Sequence, residues 1–171
     1  MSFHNAHAII RCVTNTISFM EVTSNMIFKK FGNKYILRID RGEEVVATLK
    51  TFCTAQNIAL GSLTAIGAAN RVTIGLFNTE TKQYQSTELT GDFEITGLAG
   101  NISTMNGEVY LHLHATLSDA GYHAYGGHLN AAFISGTCEL IIDVIDGACD
   151  REFSDAVGLN LLKFQRNSTP S

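Results

Sequence analysis

The sequence is nearly free of proline. Its single proline, Pro170, stands in the tail. Proline cannot donate to a sheet ladder, so none of the upstream β-like runs is interrupted by one. Charge is also scarce, with 16% charged residues against 45% apolar ones. That balance excludes a disordered chain and suggests that some apolar surface is covered in an oligomer. Basic runs are missing as well. Lys29-Lys30 is the only adjacent basic pair, and the net charge is −4. A surface that binds duplex DNA by itself needs a basic face, because phosphate contacts dominate affinity.

The four cysteines, Cys12, Cys53, Cys138 and Cys149, form no Cys-x-x-Cys pair, which argues against a structural zinc ribbon. Cys53 and Cys138 sit in apolar patterns and read as small core residues. Without a disulfide framework the chain fits a reducing, cytoplasmic compartment. No run approaches the ~20 apolar residues of a membrane-spanning helix. Residues 1–25 carry only a short apolar piece and no small-residue cleavage site after it, so they do not read as a secretory signal. Serine-histidine-aspartate, Gly-x-Ser-x-Gly and phosphate-loop patterns are absent; Gly61, Gly67 and Gly75 are scattered.

A length of 171 residues suits one domain with a sizeable core. The polar segment 1–25, with His4 and His7, is expected to be a flexible extension; the domain spans 26–165, and 166–171 is expected to be a disordered tail. Met26–Phe31 and Tyr35–Asp40 read as strands. Arg41-Gly42-Glu43-Glu44 follows as a turn that brings acids to a helix start, where the helix dipole favours them. Val45, Val46, Leu49, Phe52 and Cys53 then make one apolar helix face, ending near Asn57. Beyond it the pattern is β: 58–66, 71–77, 83–89, 93–102, 108–117, 128–134 and 138–145, with 159–164 as a possible closing strand. Residues 78–82 read as a hairpin turn. The fold class expected is α+β, one main helix on a largely antiparallel sheet.

The sharpest chemical feature is Leu111-His112-Leu113-His114-Ala115. Side chains alternate along a strand, so His112 and His114 share one face, and Leu111, Leu113 and Ala115 take the other. A hairpin through Ser118–Tyr122 would return Gly126-Gly127-His128 beside them, making His128 a third candidate ligand. The paired glycines let the backbone approach closely there. Four of the six histidines lie between 112 and 128. His123 competes with His128 as third ligand, although Tyr122-His123-Ala124 reads as a hairpin tip. Three neutral imidazoles with an open fourth position suit zinc or another divalent transition metal. A bare His-x-His pair on a strand is otherwise an ordinary solvated face. The cupin metal site also begins with His-x-His, but it carries a Glu about four residues on. Here Ser118 and Asp119 occupy that place and His128 follows too soon, so that reading is rejected.

Glu94, between Phe93 and Ile95, is the candidate catalytic acid: either an exposed strand residue or a general base near the metal cleft. Asn101 could hydrogen-bond near the site or serve a turn. Arg38 and Arg41 flank the helix start, within reach of salt bridges to Glu43 or Glu44.

Five segments together resemble the PPC (plants and prokaryotes conserved) domain, in its prokaryotic form. They are Arg38–Glu44, Ser62–Ala68, Phe93–Ile102, His112–Ala115 and Gly126–Leu129, and the similarity runs from about Met26 to Phe164. The resemblance implies an α+β domain that assembles as a homotrimer. It also implies that His112, His114 and His128 can hold a metal, commonly zinc. Prokaryotic members are described as predicted DNA-binding proteins; in plants the domain accompanies an AT-hook. This chain has no Arg-Gly-Arg-Pro arm, and Asp92 stands where plant members carry arginine. Two functions are therefore expected as alternatives. One is a DNA-binding or regulatory homotrimer with a three-histidine metal site. The other is a metal-dependent enzyme or small-molecule sensor at a pocket between subunits.

Overall fold

The computed structural model describes residues 27–164. The extension over 1–25, with Cys12, and the tail over 166–171 lie outside the described residues.

The elements run β1 (Ile27–Phe31), β2 (Lys34–Asp40), α1 (Val45–Ala55), β3 (Gly61–Asn78), β4 (Gln83–Met105), β5 (Glu108–Ser118), β6 (Ala124–Val144), β7 (Arg151–Ser154) and β8 (Leu159–Leu162). Six strands form an antiparallel sheet in the order β1-β2-β6-β3-β4-β5, and β5 also pairs with β6. The long β6 has β3 along one side; its other side carries β5 at Ala124–His128 and β2 at Thr137–Asp143. Strands β3, β4, β5 and β6 thereby close on themselves. The described residues thus form a mostly antiparallel sheet with a single short helix.

The helix is held at both ends. At its start Glu44 is the N-cap. Its carboxylate accepts from the backbone N–H groups of Val46 and Ala47, at 2.9 and 2.6 Å, and so satisfies donors that the helix leaves unpaired. The same carboxylate accepts from Ala132 N–H on β6 at 2.9 Å, tying the helix to the sheet. At the other end Asn57 adopts φ 53°. Ile58 N–H then donates to Cys53 O (2.8 Å) and Asn57 N–H to Thr54 O (3.2 Å), a Schellman closure. Val45, Leu49, Phe52 and Cys53 are buried, as the periodicity indicated. Phe52 meets Phe28 and Tyr35 with ring centroids 5.0 and 5.2 Å apart. Edge-on aromatic pairs of this kind add about 1 kcal/mol each beyond area burial.

Several expectations need correction. Ile58 belongs to the helix closure, and the strand begins at Gly61. The paired runs expected over 58–66 and 71–77, 83–89 and 93–102, and 128–134 and 138–145 are each one long strand. Their polar and glycine interruptions are bulges: register shifts fall at Ala65/Gly67 and Ala69/Arg71 in the β3–β4 ladder. A bulge bends a strand without ending it. Residues 159–164 do not close the main sheet. Leu159–Leu162 pairs instead with β7 in a separate two-stranded ribbon. Arg38 pairs with Asp40 (2.8 Å). Glu43 accepts from Asp40 N–H at 2.9 Å.

Candidate metal centre

Strand β5 alternates as its sequence requires. Leu113, Ala115 and Leu117 are buried, while His112 and His114 face outward. The loop after β5 is organised by Asp119. Its carboxylate accepts from Gly121 N–H (2.8 Å), His123 N–H (2.9 Å) and Tyr125 O–H (2.9 Å). These bonds, led by the one from His123 N–H, hold the Asp119 carboxyl below its ordinary range. The loop returns the chain so that His128 stands directly across from His114. Gly127 permits this return: a Cβ there would sit 2.7 Å from the carbonyl oxygen of Gly75 on β3.

The ring nitrogens of His112, His114 and His128 lie within 4.8 Å of one another. Nε2 of His112 and Nε2 of His114 are 3.3 Å apart. Ligand nitrogens about 2.0 Å from a tetrahedral zinc stand roughly 3.3 Å apart, so the spacing of this pair matches the ion. Burial lowers the pKa of His112, with further lowering by His128, Arg151 and His114. Burial and then His114 lower that of His128. Neutral imidazoles keep their lone pairs available, which is what metal ligation needs. His123 is not part of the group; it is exposed beside Asp119.

The family model of the Plants and Prokaryotes Conserved domain matches residues 26–146. The chain belongs to this family. PPC-type solved structures agree with the fold. A Bacteroides thetaiotaomicron protein with a provisional DNA-binding designation is 40% identical, with a TM-score of 0.79, 81% of this chain covered and 97% of that one. A metal-containing protein from Archaeoglobus fulgidus is 28% identical, with a TM-score of 0.72 and coverages of 88% and 100%. A plant- and prokaryote-conserved protein from Pyrococcus horikoshii is 27% identical, with a TM-score of 0.72 and coverages of 85% and 99%. No curated protein matches the sequence.

All three histidines fall inside the matched PPC segment, and so do Arg38, Arg41, Glu94, Asn101 and His123. Glu94 is exposed on the outer face and pairs with Ser118. Ser118 is four residues beyond His114 on β5, about 13 Å at strand rise. A single PPC chain therefore does not bring Glu94 to the histidines. Asn101 is better placed, as the direct cross-strand partner of His112. Its side-chain oxygen accepts from Arg151 Nη2 at 2.7 Å.

Arg151 is the residue that sequence reasoning missed. It lies on β7, beyond the matched segment, and is only 7% exposed. No pattern announces it, because Asp150-Arg151-Glu152 reads as a solvated charged turn. On the far side of the cluster, the Tyr84 ring lies edge-on to His128 with centroids 6.3 Å apart, and its hydroxyl hydrogen-bonds the side chain of Asn130. Gly75 makes that possible, since any side chain there would collide with the Tyr84 ring. Among the described residues no helix is long and apolar enough to cross a membrane.

Proposed function

We propose that this PPC domain holds one divalent transition ion, zinc in first place, on His112, His114 and His128. We propose further that it works in the cytoplasm as a homotrimer whose metal centres face a small-molecule ligand. The observation that carries the reading is the 3.3 Å separation of the His112 and His114 ring nitrogens, with His128 brought opposite His114. A bound ion of this kind supplies Lewis acidity at an open coordination position. The chain's own residues do the rest: the imidazoles present neutral nitrogens, and Asn101 stands beside His112 as a hydrogen-bonding group. The designation of the Archaeoglobus relative as metal-containing supports the same reading.

The homotrimer is supported by a row of outward residues that leads into the centre. Ile36 pairs with Ile141, Ile141 with Thr64, Thr64 with Ala99, and Ala99 with His114. Ile36, Ile141 and the nearby Ile66 are 45%, 47% and 60% exposed. Contiguous exposed apolar surface of this kind marks an interaction face. Assembly over it would place the histidines at or near a boundary between subunits. Sedimentation is expected to give three chains per particle.

A second reading, a DNA-associated regulator, is favoured by the designation of the Bacteroides relative. The charge of this chain opposes it. Lys34 pairs with Asp143, Arg38 with Asp40, and Lys163 with Glu152. An open hollow is lined by Glu88, Asp92 and Asp119.

The experiment is metal content per chain in protein purified without a histidine tag, with a His112→Ala/His128→Ala double variant alongside. One transition metal per chain, lost in the double variant, supports the proposal. If no metal is taken up even after zinc is added, the metal reading fails, and an assembly or DNA-associated role becomes the better account.

A further inference from the structure

The guanidinium of Arg151 is a buried cation with no anionic partner among the described residues. Its acceptors are all neutral. Nε donates to Ser103 Oγ (2.8 Å), Nη1 to the carbonyl oxygen of Asn160 (2.7 Å), and Nη2 to Asn101 Oδ1 (2.7 Å). Its flat face lies over the Tyr110 ring, 4.7 Å from the centroid. Ser103 is itself fully buried. Charges removed from water are ordinarily paired, because an uncompensated one is costly. A guanidinium also carries five N–H donors in a fixed fork. Three are used here, which leaves one on Nη1 and one on Nη2.

The position of this cation gives the imbalance a meaning. Tyr110 and His112 are two apart on β5 and share its outer face, and Asn101 is the cross-strand partner of His112. Arg151 therefore reaches across the ribbon β7–β8 to the flank of the histidine group. Three neutral imidazoles contribute no negative charge. A divalent ion among them beside Arg151 would leave the site strongly positive, since the ligand group itself contains no carboxylate.

We propose that Arg151 and the three-histidine centre together form a binding site for a small carboxylate. The ligand takes the open position beside the histidines, and its charge is balanced by the unused N–H donors of Arg151. A carboxylate fits because its two coplanar oxygens match the planar guanidinium fork. The inference rests on the metal reading above but adds the class of ligand and a residue outside the matched family segment. Ser103, Asn101, Asn160 and Tyr110 hold the guanidinium in place, so Arg151 is a specificity-determining group set by the ribbon β7–β8.

The test uses the full chain loaded with cobalt(II), whose visible spectrum reports its coordination. Metal content is measured first in wild type, Arg151→Met and Arg151→Lys. Sodium acetate, inorganic phosphate and sodium chloride are then titrated at constant ionic strength. The expected result is a saturable spectral change with acetate, absent with chloride, and a midpoint raised about 10- to 100-fold in Arg151→Met. Arg151→Lys keeps the charge without the fork and is expected to fall between; it also decides the matter if Arg151→Met fails to fold. Full metal loading with no acetate response, or an equal response in all three proteins, overturns the carboxylate site and leaves the metal centre standing. Tighter binding of phosphate than of acetate overturns the ligand class. Failure of the wild type to load cobalt is a different result, since it removes the metal reading and this inference with it.

Discussion

Gly100 offers a direct way to disturb the centre without touching a ligand. It lies on β4 opposite Leu113, between the pairs Asn101–His112 and Ala99–His114. A Cβ at Gly100 would stand 2.8 Å from Leu113 Cδ2 and 2.9 Å from Leu113 Cα, and closer still to the carbonyl oxygen of His112. Real Cβ contacts essentially never fall under 3.0 Å. Two of these atoms are backbone, so β5 itself must move, and it must move at the residues that carry the imidazoles. Overpacking of this kind costs about 1–3 kcal/mol. Metal ligation is less forgiving, since ligand distances hold to about 0.2 Å. Gly100→Ala is therefore expected to lower zinc affinity at least ~10-fold, the scale seen when groups supporting ligands are lost. Gly97→Ala is the matched control on the same strand, with nothing within 4 Å of its Cβ. Zinc competition against a chelating dye measures the affinity, and urea unfolding of the metal-free proteins measures the strain. If the two variants behave alike, the steric reasoning is refuted.

Glu44→Ala removes a cap from α1 and an acceptor from Ala132 N–H together. A loss of about 2 kcal/mol is expected by urea unfolding, most of it restored in Glu44→Gln, which retains an acceptor oxygen. The metal-free protein is expected to weaken on acidification. In the unfolded chain His112 and His128 take up protons near 6.5, whereas burial in the fold moves both lower. Between those limits the unfolded state binds more protons, so stability falls as pH drops below about 6.5 and returns as pH rises. Urea midpoints from pH 7.5 down to 5.5 test this, and the slope should diminish in a His112→Asn/His128→Asn variant.

Much of the site was readable because it depends on local rules. Period-two alternation put His112 and His114 on one face of β5, and Gly126-Gly127 marked the place where the backbone approaches closely and His128 returns. The helix face over Val45–Cys53 was equally legible from its periodicity. What escaped depends on longer geometry. Gly67 and Asp92 looked like strand breaks because a bulge and a turn use the same residues; only the ladder on both sides of β3 shows that the strand continues. Ile58 looked like the start of a strand because an apolar residue closing a helix carries no signal of its own. Glu94 was placed on the correct face, but its distance from the histidines is set by register, which alternation does not report. Arg151 was invisible because its burial comes from the β7–β8 ribbon folding onto β4 and β5, a tertiary fact with no local pattern.

Everything above turns on three imidazoles of one chain holding a metal with a position left open. X-ray absorption at the zinc edge on the untagged, zinc-loaded protein tests it most directly. Three imidazole nitrogens at about 2.0 Å and one further light atom are expected. A sulfur scatterer, four imidazoles, or fewer than three would contradict it.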